Sequence, residues 1–167
     1  MKKFTRLSML LALSVALNVI EASLPLFNDF IPGLKLGLAN IVTLFIIYQF
    51  NLKDAFYVGV LRVFLVGILR TGLFSITFFF SLNGVIFSIM FMYLAKKYFK
   101  LSIIGVSIIG SIAHSTGQVL TSILLLQMTS MIYYLPWLLL FSIPTGIFVG
   151  LICKQLIKFY DETLSFE

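Results

Sequence analysis

The chain has 167 residues, of which 60% are hydrophobic and 11% charged, and a mean hydropathy of +1.10. That is too apolar for an ordinary water-soluble domain. Its net charge of +6 falls in short basic clusters between apolar runs, an arrangement that anionic headgroups and the positive-inside rule explain, so the expected partner is the lipid bilayer and not nucleic acid.

Lys2, Lys3 and Arg6 precede an apolar run from about Leu7 to Leu24. The run is too long for a signal-peptide core and ends in Pro25 and Phe27 without a convincing small-x-small cleavage pattern, so it reads as a first membrane span. A segment punctuated by Pro25, Asn28, Asp29, Pro32 and Gly33 leads to a second span, about Leu36 to Phe50. The third runs from about Ala55 to Thr71 and the fourth from about Phe74 to Ala95. The fifth covers about Leu101 to Leu126 and the sixth about Tyr134 to Ile157. In hydrocarbon each must be helical, because an open strand would leave backbone N–H and C=O groups unpaired. One all-α domain of six transmembrane helices is therefore expected over the whole chain.

If the N-terminus is cytoplasmic, Lys2, Lys3, Arg6, Lys53, Lys96, Lys97, Lys100, Lys154 and Lys158 all fall on the inner side. Only Lys35, Arg62 and Arg70 do not, so a multi-pass protein of the cell membrane with both termini cytoplasmic satisfies the positive-inside rule. Tyr133, Tyr134 and Trp137 at the outer start of the sixth span fit an aromatic interface belt. Cys153 reads as a small buried apolar residue.

Polar residues inside these spans carry the functional argument, since a charge at membrane depth costs about 2.5–3.5 kcal/mol and should face inward. Asn18 and Glu21 lie one turn apart on the first span. Lys35 and Asn40 follow the irregular Pro32–Gly37 stretch, Arg62 and Arg70 lie two turns apart on the third span, and His114, Ser115, Gln118 and Thr121 form a polar stripe on the fifth. Together they suggest an outward-facing pocket for a polar or anionic small molecule. Lys35 and Arg70 would bind its acidic group, and Asn18, Asn40, His114 and Gln118 would orient it. The competing account of Glu21 is a staple to Lys35 or Arg70. Arg62 and Asn83 are assigned either to the pocket or to helix packing.

Small residues repeat at every fourth position in Ser8, Ala12 and Ala16, in Ala113 and Gly117, and in Gly146 and Gly150. Such faces let helices approach closely, within one bundle or against another membrane protein. The sequence contains no Walker A pattern, no H-E-x-x-H pair and no Cys/His metal array. The six acidic residues include no aspartate-rich cluster that could hold the magnesium ions of a diphosphate substrate. No catalytic residue, metal site or cofactor is expected.

The stretch Ala16 to Glu21, the block Pro32-Gly-Leu-Lys-Leu-Gly-Leu-Ala-Asn40, the Arg62/Arg70 helix and Ala113-His-Ser-Thr-Gly-Gln118 together resemble a bacterial membrane family. It is variously labelled Gx transporter and heptaprenyl diphosphate synthase component I, and the resemblance runs from about Leu10 to Ile157. The six-span size is also similar to the substrate-binding S components of energy-coupling-factor (ECF) vitamin transporters. In those, an Ala-x-x-x-Ala face on the first helix docks on a coupling subunit, and Ala12 and Ala16 match that pattern. The resemblance implies an S-component-like bundle working with a transmembrane coupling subunit and with ATPases on separate chains, which alone would use ATP. The alternative it implies is a non-catalytic membrane subunit associated with polyprenyl diphosphate synthesis. A self-sufficient secondary transporter using Glu21 or His114 as proton carrier is a third reading, disfavoured because no inverted repeat is visible.

Overall fold

The computed structural model describes residues 2–23, 36–127 and 129–164. It is all-α, with six α-helices: α1 (Lys2–Ser23), α2 (Leu38–Gln49), α3 (Leu52–Val66), α4 (Ile76–Lys97), α5 (Ile103–Leu126) and α6 (Leu135–Leu164). A π-helical turn, Gly67–Thr71, extends α3, and a 3₁₀ turn, Thr129–Tyr134, leads into α6. Four of the helices, α1, α4, α5 and α6, are long and apolar enough to cross a bilayer. They point to a multi-pass membrane protein.

Local chemistry sets the helix boundaries. Ser75 Oγ accepts a hydrogen bond from Phe78 N (3.2 Å) and Ser102 Oγ one from Gly105 N (3.2 Å), so α4 and α5 begin just past the points where hydropathy starts to rise. At the start of α3, Asp54 reaches back to accept from Asn51 N at 3.3 Å. Charged residues that would end an apolar run are thereby drawn into the helix, and α3 starts at Leu52 and not at Ala55. Between α3 and α4, Gly72 and Phe74 take left-handed backbone angles, which reverse the chain within a few residues.

α2 is the innermost helix. It packs against α1, α3, α4 and α6, and everything from Ala39 to Ile47 is buried. Its 12 residues rise only about 18 Å, short of a ~30 Å hydrocarbon core. α5 lies between α4 and α6 in the closest packing of the bundle, and glycines make that closeness possible. A Cβ on Gly146 would fall 2.7 Å from Ile108 Cα, and one on Gly150 would fall 2.8 Å from Ile104 Cα. Of the small-residue repeats, Gly146/Gly150 and Gly117 therefore serve contacts within the bundle. Ser8, Ala12 and Ala16 instead lie on an exposed face of α1 beside Met9, Leu13 and Ile20.

At the end of the bundle where α1 starts and α2, α4 and α6 finish, polar side chains tie the helices together. Lys3 pairs with Asp54 at 2.8 Å, Arg6 donates to Tyr160 Oη at 3.1 Å, and Gln49 donates to Asp161 at 2.8 Å. Lys96 donates to the Ile47 carbonyl at 2.7 Å while its ammonium sits 4.4 Å from the Tyr48 ring centroid.

Candidate functional site

The other half of the bundle holds a polar cavity. It is bounded by the later parts of α1 and α3, the middle of α5 and the first parts of α2, α4 and α6. Its volume is about 50 Å³. One water needs about 10–15 Å³, so the cavity takes about three to five water-sized groups.

α1 brings Asn18 and Glu21 to this space, and α2 brings Asn40. Glu21 is buried, and its carboxylate accepts from Gly37 N at 2.6 Å and from Leu38 N at 3.1 Å. These are two of the N–H groups that a helix start leaves without intrahelical partners, so Glu21 caps α2 from a neighbouring helix. Gly37 can present its N–H this way because its φ of 77° costs a glycine little. The sequence reading of Glu21 as a staple to Lys35 or Arg70 misses this partner. Backbone donors leave no mark in side-chain spacing.

α3 contributes Arg62, Val63 and Val66. Arg62 sits on the buried stripe Ala55, Val58, Gly59, Arg62, Val63 and Val66, and its side chain is only 3% exposed. Its Nε and Nη1 atoms are buried without a hydrogen-bond acceptor among the described residues. Glu21 lines the same cavity, but no ion pair forms between them within 4 Å. Arg70, in contrast, is exposed and does not line the cavity; its Nη2 donates to the Ala22 carbonyl at 3.2 Å, closing the end of α1. Arg70 sits within the π-helical turn that extends α3, where its side chain reaches the last turn of α1 instead of the cavity.

α5 presents Ser111, His114, Ser115 and Gln118 on one face. The His114 ring rests over Gly84 of α4, where a Cβ would come within 2.8 Å of its Cε1. Thr121 belongs to the stripe in sequence but bonds its own helix at Gly117 O (2.7 Å) and stays out of the cavity. Ser142 Oγ lies 2.7 Å from Ser115 Oγ and also donates to Leu138 O, which leaves Ser115 as the donor of that pair. Asn83 does not line the cavity; its carbonyl faces Gly117 where α4 and α5 cross. Lys35 lies outside the described residues, as do Pro25, Asn28, Asp29, Pro32 and Gly33.

Five of the seven residues assigned to the pocket from the sequence, Asn18, Glu21, Asn40, His114 and Gln118, thus meet at one cavity, together with Arg62. Sequence reasoning missed Thr71, Ser81, Ser111, Ser142 and Thr145. Ser111 could have been found from its four-residue spacing to Ser115. Among the described residues no three His, Cys, Asp or Glu side chains gather to hold a metal ion. Glu21 and Arg62 are the charged groups of the described lining, and around them are amide and hydroxyl groups that can donate or accept.

No curated protein and no solved structure matches the chain. A family model described as heptaprenyl diphosphate synthase component I matches residues 10–156, a range that takes in every described residue of the cavity. The chain is a member of the heptaprenyl diphosphate synthase component I family.

Proposed function

We propose that this chain is the membrane-embedded substrate-binding subunit, of S-component type, of an energy-coupling-factor uptake transporter. The observation that carries the reading is Arg62, buried beside a polar cavity with guanidinium donors that no described residue satisfies. A structural arginine inside a membrane protein is normally paired or bonded to carbonyls. One held next to a cavity with donors to spare is arranged for a ligand. In this reading all six helices span or enter the membrane, both termini are cytoplasmic, and the cavity opens outward, away from the basic end. The chain itself catalyses nothing. ATP is spent by separate ATPases, and Ser8, Ala12 and Ala16 form the face on which the transmembrane coupling subunit docks.

The test is affinity purification in mild detergent from the native host, with mass spectrometry of co-purifying proteins and retained small molecules. A coupling subunit, ATPases and a retained molecule are expected. Ala12→Trp should abolish recovery of the coupling subunit while the small molecule is still retained. Normal assembly and transport by that variant would refute the docking face.

Family membership favours a second reading, a non-catalytic membrane subunit associated with polyprenyl diphosphate synthesis. Membranes containing the chain should then change the rate or product length of a soluble prenyl diphosphate synthase. Recovery of such a synthase in the purification, without ATPases, would put this reading first.

A further inference from the structure

We propose that the cavity seats a single, singly charged carboxylate on Nε and Nη1 of Arg62, so that its ligand enters acid end first. This rests on the reading of the cavity as a small-molecule site and names the class of molecule it takes. Three observations converge on it.

The first is the orphaned donors. Arg62 is 3% exposed, and its Nε and Nη1 have no acceptor among the described residues. A planar guanidinium matches a carboxylate better than any other side chain does, and a buried donor gains most from an ionised acceptor. The second is charge. Glu21 faces the same space, and its two oxygens are held by Gly37 N and Leu38 N, so it stays where it is as a fixed acceptor. Arg62 is the one cation of the described lining and Glu21 its one anion. One incoming carboxylate is met by the orphaned donors of Arg62 and by the amide donors of Asn40 and Gln118, and it leaves the described lining with one net negative charge. Each further charge meets Glu21 with no second described cation to offset it, and burial leaves that repulsion weakly screened.

The third is size. Space for about three to five water-sized groups admits a carboxylate and the carbon that bears it. A diphosphate has more than twice as many heavy atoms. The cavity therefore suits the acid end of a larger molecule, and it discriminates against the diphosphate that the second functional reading would need.

The experiment uses the full chain in nanodiscs of neutral lipid, labelled with ¹⁵N-arginine. The sequence contains only Arg6, Arg62 and Arg70, so three Nε–H signals are expected. Arg62→Lys assigns one by its loss; if that variant does not fold, Arg6→Lys and Arg70→Lys assign it by elimination. The probes are propionate, inorganic phosphate and pyrophosphate at matched ionic strength. Propionate should shift the Arg62 signal saturably, at concentrations at least about tenfold lower than either phosphate probe, without a saturable shift at Arg6 or Arg70. Stronger binding of pyrophosphate, or no response of Arg62 to any probe, would overturn the proposal. So would nanodiscs containing phosphatidylglycerol in which Arg62 is already shifted and propionate is excluded, since the occupant would then be a lipid phosphodiester. A molecule retained from the host that binds without moving the Arg62 signal would refute the carboxylate seat and leave the binding function intact. A propionate shift in a protein that retains no host molecule and associates with no transporter subunit would refute the transport reading instead.

Discussion

Arg62 and Arg70 carry the same group, two turns apart, yet one lies buried at the cavity and the other closes the end of α1 from an exposed position. Removing the guanidinium from each should separate the two roles. Arg62→Met is expected to abolish retention of the small molecule and Arg62→Lys to weaken it severely, since an ammonium keeps the charge and loses the planar donors. Arg70→Met should leave retention within a few fold of the parent, measured by mass spectrometry of the purified protein. Glu21→Gln is expected to act on stability. It replaces one of two charge-assisted bonds to the start of α2 with an amide that has the wrong polarity, at a cost of about 1–3 kcal/mol read as a lower unfolding midpoint in detergent. Polar residue types inside apolar runs were enough to nominate Asn18, Glu21, Asn40, His114 and Gln118 from the sequence. What separates Arg62 from Arg70 was not legible there, because spacing along one helix does not show that Arg70 meets the end of a different helix, α1.

At the level of helices, spacing shows that small residues share a face but does not identify what that face meets. Gly146/Gly150 and Ser8/Ala12/Ala16 have equivalent spacing, and one set is closed against α5 while the other is open. Adding a methyl group should expose the contrast. Gly146→Ala drives a Cβ into the α5 backbone at Ile108, where no side chain can turn aside, and should destabilise the bundle by about 1–3 kcal/mol. Ala16→Val on α1 should leave the unfolding midpoint of the isolated chain within about 0.5 kcal/mol of the parent. Thermal unfolding of both variants in the same detergent checks the pair. Helix number and type were readable from hydropathy because apolar runs of this length have few other solutions in lipid. Helix starts moved by two or three residues at these caps, later where Ser75 and Ser102 cap α4 and α5 and earlier where the Asp54 reach-back drew Lys53 and Asp54 into α3.

For the whole molecule, polar ties and basic residues gather at one end of the bundle and the cavity lies toward the other. If the basic end is cytoplasmic, a cysteine at exposed Phe74 should react with an impermeant maleimide in intact cells, and one at exposed Lys100 only after permeabilisation. The reverse pattern would invert the protein and turn the cavity inward. A Cys153→Ser background keeps the native thiol from contributing. The short, buried α2 shows why the sequence could name six helices without giving their roles. Its apolar residues look like a lipid-facing span, but protein covers them on all sides, and its first turn delivers Asn40 to the cavity.

The same native thiol, left in place, is a clock. Cys153 is fully buried, packed in the core that α6 shares with α2. A reagent can reach it only while the helices around it are parted, so its modification rate counts how often the bundle opens. Any molecule that binds across the cavity, joining α1, α2 and α3 to α5 and α6, holds closed the same set of helices and should slow that clock. Time to half-modification then ranks candidate ligands without knowing beforehand which of them the cavity takes.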